Sequence, residues 1–202
     1  MAVLFSADPD YSVVESNRLL RVWLKVMNAL FVAIKIPDPI GKALQTIQPA
    51  AGSRVRVVPK DRFHLTLCYI GRQRFSGIEQ ALTNIIARPF ELCLTGTGHF
   101  GSARRGATLW AGIEENAELM SLQSKVEAAL VSVGFEPETR CFKPHVTLAR
   151  CKPKPPVDVL HEHAAKQFRH CFVVSKFGLY TSQPAPHGPP IYSLEHAYSL
   201  TE

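Results

Sequence analysis

Two stretches of the chain share one pattern: His64-Leu65-Thr66-Leu67 and His145-Val146-Thr147-Leu148. Each copy follows a segment that is predicted to contain a strand and a helix, which indicates an internal duplication. Residues two apart on a β-strand face the same side. We therefore expect each copy to present an imidazole and a hydroxyl on one face, while its apolar residues pack on the other.

The sequence on either side of these motifs predicts both strands and helices. Some predicted strands follow each other directly, which favours an α+β fold with largely antiparallel sheets over a doubly wound parallel sheet. We expect two duplicated lobes whose sheets form a central cleft lined by both motifs, with helices on the outside. The predicted strands are 30–36, 54–58, 63–70, 90–94, 107–113, 145–149, 171–180 and 191–200; the predicted helices are 40–47, 76–88, 117–133 and 157–168.

Two of these elements depend on specific signals. Ser76 and Glu79 have the spacing of a capping box, which predicts that a helix begins there and ends before Pro89. The stretch 171–180 reads as one continuous strand because it is rich in aromatic and β-branched residues.

The composition limits the class of protein. The chain has 202 residues, of which 46% are hydrophobic and 20% are charged, so disordered and coiled-coil classes are excluded. The net charge of +6 is compatible with a polyanionic partner without demonstrating one. The five cysteines are scattered and form no Cys-x-x-Cys, which favours a reduced cytoplasmic compartment.

The N-terminal part differs from the rest. The apolar stretch 19–36 is interrupted by Arg21, Lys25 and Lys35, so we expect no membrane span. Met27 directly precedes the first predicted strand. We therefore divide the chain into an extension, 1–26, and a single two-lobed domain, 27–202. A packed N-terminal helix is the alternative for the extension.

The paired motifs point to acid–base chemistry. Histidine titrates near neutral pH, so one ring can take a proton from water while the other gives a proton to a leaving group. Threonine hydroxyls are suited to bind phosphoryl oxygens, and positioning with charge stabilisation dominates phosphoryl transfer. We expect no metal and no cofactor. His161 and His163 lie near Cys141 and Cys151, but their spacing matches no common zinc motif.

The sequence resembles the two-histidine (2H) phosphoesterases, and within them the bacterial RNA 2′,3′-cyclic phosphodiesterases, also called 2′-5′ RNA ligases. The likeness spans roughly residues 27–201. Residues 1–26 have no counterpart, and Val57-Val58 stand where the family often has a tryptophan. The matching segments are Phe31-Val-Ala-Ile34, Val58-Pro-Lys-Asp-Arg-Phe-His-Leu-Thr-Leu67, Thr108-Leu-Trp-Ala-Gly112, Phe142-Lys-Pro-His-Val-Thr-Leu-Ala-Arg150 and Gly188-Pro-Pro-Ile-Tyr192.

The resemblance implies a role for each motif residue. His64 would be the proton donor to the departing 3′ oxygen of a 2′,3′-cyclic phosphate. His145 would be the base that activates water, leaving an RNA 2′-phosphate end. Thr66 and Thr147 would hold the phosphate. The implied substrate is RNA with a 2′,3′-cyclic phosphate end or a related nucleotide.

Other residues beside the motifs are candidates for substrate binding. Arg150 would neutralise phosphate charge. Phe142, like Phe63, would stack on a base or pack in the core. A basic cluster before the first motif would guide RNA or simply form a solvated face; its members are Arg54, Arg56, Lys60 and Arg62.

Three alternatives to cyclic phosphodiester hydrolysis stay open. The first is 2′-5′ RNA ligation, which is related chemistry in the reverse sense. The second is hydrolysis of a small cyclic nucleotide, and the third is a non-catalytic module that binds RNA ends. We expect a monomer.

Overall fold

The protein was analysed as a computed structural model, which describes residues 28–73, 75–156, 159–164, 168–185 and 189–201. The predicted extension, 1–26, lies outside the described residues. Within them, no helix is long and apolar enough to cross a membrane.

One antiparallel sheet of nine strands organises the fold, as the α+β prediction requires. Its strands are β1 (Ala29–Lys35), β2 (Val55–Val57), β3 (His64–Gly71), β4 (Phe90–Ser102), β5 (Gly106–Ile113), β6 (His145–Cys151), β7 (Arg169–Val174), β8 (Lys176–Gln183) and β9 (Ile191–Ser199). The helices are α1 (Asp38–Thr46), α2 (Ile78–Thr83), α3 (Ala117–Val131) and α4 (Val159–Ala164), with a 3₁₀ turn at Lys60–Arg62.

The sheet consists of two four-stranded halves that meet at the two motif strands. The strand order is β7-β4-β5-β6 followed by β3-β1-β8-β9, and β2 pairs with β6 beyond the end of β3. The halves are therefore the two predicted lobes, and β3 and β6 are their innermost strands. Leu65 lies opposite Val146 across this junction, and both are fully buried.

The helices cover one face of the sheet and leave the other face to the site. Apolar residues of α1, α2 and α3 form one core with the apolar positions of the motif strands. In α3 the buried residues Leu119, Leu122, Val126 and Leu130 recur at helical spacing, and the Asn116 side chain accepts a hydrogen bond from the Leu119 amide to cap the helix. Because the apolar motif residues face this core, the histidines and threonines face away from it.

The predicted bounds differ at several elements: β4 continues to Ser102, and the helix predicted over 76–88 ends at Thr83. Two of the signals used for the predictions are wrong. The stretch 171–180 is two strands: β7 pairs with β4 in one half and β8 pairs with β1 in the other, so the chain crosses the molecule at Ser175. The α2 helix begins after Gly77, whose φ of +83° is left-handed, and no side chain caps it. A capping box needs an extended N-cap residue, so the Ser76–Glu79 spacing does not act as one.

The cysteines also differ from the expectation. Cys93 on β4 and Cys171 on β7 are directly opposite each other, with Cα atoms 4.0 Å apart, and form a disulfide. Their scattered positions in sequence did not predict this pair, because the β4–β7 register brings them together. Among the other cysteines in the described residues, Cys68, Cys141 and Cys151 are free.

Candidate active site

The β3–β6 junction brings the two motifs together. Since Leu65 lies opposite Val146 in an antiparallel pair, the flanking positions place His64 beside Thr147 and Thr66 beside His145. All four side chains are partly buried. Each half of the sheet therefore supplies one imidazole and one hydroxyl, and each histidine has the threonine of the other half as its cross-strand neighbour.

Each imidazole ring is held by a hydrogen bond to the backbone carbonyl two residues earlier. Nδ1 of His64 lies 2.7 Å from the carbonyl oxygen of Arg62, and Nδ1 of His145 lies 2.7 Å from that of Lys143. A carbonyl can only accept a hydrogen bond, so each Nδ1 carries the proton and donates it. In the neutral form each ring then has its Nε2 lone pair free to accept a proton.

The pKa of both histidines is lowered from the ordinary value. Burial is the main cause for each ring, and the hydrogen bond to the backbone carbonyl partly opposes it. The charge of Arg150 lowers both pKa values further, and the charge of His145 lowers that of His64. The two rings and the guanidinium are therefore within electrostatic reach of one another.

A bulge in β6 brings Arg150 to this face. Arg150 lies five residues after His145, so strict alternation would put the two side chains on opposite faces. The β5–β6 register shifts between Leu109 and Trp110, which leaves one extra residue in β6. Arg150 is exposed beyond the bulge, whereas the residues on either side of it are buried, and its Nη1 lies 3.4 Å from Thr108 Oγ1.

The Gln48 side chain binds two backbone carbonyls beside this bulge. Its side-chain amide donates to the carbonyl oxygens of Val58, at 2.9 Å, and Leu148, at 2.8 Å. The amide of Val58 donates to the Leu148 carbonyl as well. The chain between β2 and β3 is thereby fixed along the edge of β6. Nothing in the sequence around Gln48 indicated this role.

Aromatic rings surround both histidines. Phe31 and Tyr192 lie 5.1 and 5.2 Å from the His64 ring, centre to centre. Phe100 lies 4.9 Å from the His145 ring and contacts Trp110. The Tyr192–His64 and Phe100–His145 contacts are edge-to-face, and such contacts hold a ring at a defined angle. Phe31, Trp110 and Tyr192 belong to segments that carry the family resemblance, but no local pattern placed them beside the histidines, because the four rings come from four different strands.

Arg62 connects the first motif to the β8–β9 loop. Its Nη1 donates to the carbonyl oxygens of Pro189 and Pro190, at 3.0 and 2.8 Å, while its own carbonyl accepts from His64. The residues that follow this loop begin β9, which carries Tyr192. Arg62 is thus a positioning residue for the His64 side of the site.

Phe142 lies on the His145 side of the candidate site. It packs against the core and, together with His145 and Phe100, lines two hollows of about 780 and 790 Å³. Thr66 lines the first of these hollows. Phe63 is 1% exposed and belongs to the core.

The members of the predicted basic cluster differ in their side-chain contacts. Arg54 Nη1 donates to the Pro153 carbonyl, and Lys60 pairs with Asp38 at 2.5 Å, an ion pair that lowers the pKa of the Asp38 carboxyl. Arg62 donates to the carbonyl oxygens of Pro189 and Pro190. These three side chains have structural contacts, whereas Arg56 lies on the histidine face next to Arg150.

Possible metal-ligating side chains come together at one place in the described part of the chain. Within it, one group of three has ligand atoms within 4.8 Å of one another, namely Glu91, Cys93 and Cys171. Two of these are the disulfide cysteines. The His161 side chain is outside the described residues, and His163 is buried with Nε2 3.0 Å from the Trp110 carbonyl oxygen.

Two anchored histidines, each with a cross-strand threonine, form the arrangement expected of a two-histidine phosphoesterase. A family model described as the 2′-5′ RNA ligase superfamily matches residues 36–185, which include both motifs. The chain therefore belongs to the 2′-5′ RNA ligase superfamily, and the resemblance seen in the sequence is confirmed.

Individual relatives agree with this assignment. A protein from Archaeoglobus fulgidus named RNA 2′,3′-cyclic phosphodiesterase is 29% identical over 167 residues, which cover 79% of this chain and 94% of the relative. A protein of the same name from Thermus thermophilus is 31% identical over 190 residues, 85% of this chain and 89% of the relative. The crystal structure of E. coli LigT in apo form shares the fold, with a TM-score of 0.71 at 24% identity, covering 87% of this chain and 99% of LigT.

Proposed function

We propose that this protein hydrolyses 2′,3′-cyclic phosphodiester ends of RNA to 2′-phosphomonoesters, with His64 as the proton donor and His145 as the proton acceptor. The observation that carries the proposal is the pair of rings held by Nδ1 on adjacent strands, each next to the threonine of the other motif. The names of the relatives from Archaeoglobus and Thermus support the same substrate class.

The reaction needs two proton transfers in opposite senses. Neutral His145 takes a proton from water through Nε2, and the water oxygen forms a bond to phosphorus. The bond from phosphorus to the 3′ oxygen breaks, and protonated His64 gives its Nε2 proton to that oxygen. The product keeps the phosphate on the 2′ oxygen, and proton exchange with solvent restores both rings.

The surrounding residues support charge neutralisation at phosphorus. Thr66 and Thr147 offer hydroxyl donors, and Arg150 adds a guanidinium that lies within electrostatic reach of both histidines. Phe142, at the edge of the hollow that contains Thr66 and His145, is placed to contact a nucleoside. We infer that the proton shuttle uses side chains alone, because the two histidines perform both transfers.

Product analysis tests this proposal. A short RNA with a 2′,3′-cyclic phosphate end should give a 2′-phosphate end, identified by resistance to an enzyme specific for 3′-phosphates. A 3′-phosphate product would contradict the assignment of the leaving oxygen. No turnover, together with tight binding of the same RNA, would instead favour a non-catalytic binding module.

Chelation tests the metal-free mechanism. Turnover of the cyclic-phosphate RNA should be unchanged, within about twofold, in excess EDTA, since general acid–base catalysis by imidazole requires no metal. Loss of turnover that added zinc or magnesium restores would contradict this mechanism while leaving the substrate assignment intact.

A further inference from the structure

Arg56 extends the candidate site by one strand. It lies directly opposite Arg150 in the β2–β6 pairing, and Thr108 lies opposite Arg150 on the other side, in β5. Residues opposite each other across a strand pair point to the same face. Val55 and Val57, which flank Arg56, pack beneath the sheet. Arg56, Arg150 and Thr108 therefore form one row on the histidine face.

Two arginine residues directly opposite each other on a sheet are stabilised by a nearby negative group. Like charges directly opposite each other on a sheet are destabilising. Among the described residues, no carboxylate forms a salt bridge with Arg56 or Arg150. Arginine offers a planar fork of donors that suits phosphate oxygens. The row is thus ready to bind an anion between its two arginines.

We propose that Arg56 and Arg150 form a subsite for a second phosphate, the one on the 5′ oxygen of the terminal nucleotide. This inference rests on the proposed function and specifies its substrate: a cyclic-phosphate end that continues into an RNA chain. Arg150 is within electrostatic reach of the histidines that flank the cyclic phosphate. Arg56 lies one strand spacing, about 4.8 Å, beyond Arg150, on the side away from Thr108.

Three substrates isolate the second phosphate. Adenosine 2′,3′-cyclic phosphate lacks it, the same nucleotide with a 5′-phosphate has it without a preceding nucleoside, and the dinucleotide ApA with a 2′,3′-cyclic phosphate has it as an RNA linkage. The native protein should turn over the last two with a higher kcat/KM than the first. Arg56→Gln should lower kcat/KM for these two by roughly 5- to 20-fold, because a charge-assisted hydrogen bond is lost. The loss on the first substrate should be much smaller.

Matched variants control for charge and folding. Arg54→Gln removes the same charge two residues away, but Arg54 is bound to the Pro153 carbonyl, so all three rates should stay near those of the native protein. Arg56→Lys should recover part of the loss. For the dinucleotide, the slope of log kcat/KM against log salt concentration should become shallower by about 0.7 in Arg56→Gln, the value for one phosphate contact on a single strand.

Each outcome has a defined meaning. Equal losses on all three substrates in Arg56→Gln would overturn the subsite. A loss confined to the 5′-phosphorylated mononucleotide would overturn the RNA assignment and favour a small nucleotide. If the native protein turns over all three substrates equally, the subsite is wrong but the proposed function stands. If it turns over none of them, the proposed function itself fails.

Discussion

The two halves of the sheet hold their histidines in the same way but surround them differently. Nδ1 of each ring donates to the carbonyl two residues earlier, at the same distance of 2.7 Å. His64 is then enclosed by Phe31 and Tyr192, whereas His145 contacts Phe100 and lines two hollows. The duplicated backbone thus gives two similar bases, and the side chains around them give different access to solvent.

This difference agrees with the proposed division of roles. A ring that activates water needs access to water, and His145 borders the hollows. A ring that protonates a leaving oxygen needs a fixed position against that oxygen, and two aromatic rings hold His64 in place. Four predictions test how far this comparison holds.

The largest effect is expected at the histidines themselves. Replacing either His64 or His145 with alanine should lower kcat by roughly 10² to 10⁴, the usual contribution of a general acid or base. The double variant should lose less than the product of the two single losses, because the rings act as a unit. Steady-state rates on cyclic-phosphate RNA would measure all three losses.

Changing the leaving group distinguishes the general acid from the general base. A ribose oxygen needs a proton to depart, whereas nitrophenolate departs without one. On a nitrophenyl phosphodiester that the native protein accepts, His64→Ala should recover most of its deficit, and His145→Ala should not. Recovery in His145→Ala alone would reverse the acid and base, and equal recovery in both would remove the distinction between the halves.

A smaller effect is expected from glycines that support aromatic rings in each half. A Cβ at Gly98 would lie 2.4 Å from the Trp110 ring, and a Cβ at Gly178 would lie 2.8 Å from the Tyr180 ring. Gly98→Ala must displace Trp110, which is paired with Thr147 across β5 and β6. Overpacking of this kind costs about 1–3 kcal/mol of unfolding free energy, and kcat/KM should fall several-fold.

Gly178→Ala is the matched variant in the other half. Its nearest contact is the end of Leu194, 2.7 Å away, which is 54% exposed and can move. The loss of stability should therefore be smaller than for Gly98→Ala, as measured by urea unfolding. With Trp23→Phe as background, Trp110 is the remaining tryptophan of the chain, so its fluorescence reports directly whether Gly98→Ala moves it. An unchanged spectrum together with unchanged kcat/KM would contradict the prediction.

The sequence predicted which way the motif side chains point better than it predicted the arrangement of the strands. Alternation along 64–67 and 145–148 sufficed to place two histidines and two threonines on one face, because a strand's period of two residues is a local property. The position of Arg150 depends on the extra residue that β6 has against β5. A bulge arises from pairing with a partner strand, so no local pattern within 145–151 predicted it.

The predictions that failed also depend on pairing between strands that are distant in sequence. Residues 171–180 contain a continuous strand signal, yet the chain divides at Ser175 because its two parts pair with strands of different halves. The Cys93–Cys171 disulfide and the contacts of Gln48 likewise depend on residues far apart in sequence. Periodicity indicated which residues share a face, whereas tertiary pairing decided which faces meet.

The smallest expected effect is a shift in pH dependence. Both histidines have a lowered pKa, chiefly through burial and further through the charge of Arg150. The profile of kcat/KM reports the free enzyme, which must hold one neutral and one protonated ring, so its maximum should lie below pH 6.5. A bound phosphate anion favours protonated rings, so the kcat profile should lie at higher pH than that of kcat/KM.

Arg150→Gln sharpens this prediction because it removes the guanidinium charge that lowers both pKa values. Its kcat/KM maximum should move to higher pH, even though the overall rate falls, while Arg54→Gln should leave the maximum in place. The stability of the folded protein also depends on the lowered pKa of the two rings. Because the folded rings have a lower pKa than in the unfolded chain, their contribution is complete above about pH 6.5 and is lost as the pH falls through the folded-state values. A kcat/KM maximum above pH 7 in the native protein, or an unmoved maximum in Arg150→Gln, would show that burial and Arg150 do not set the titration of this pair.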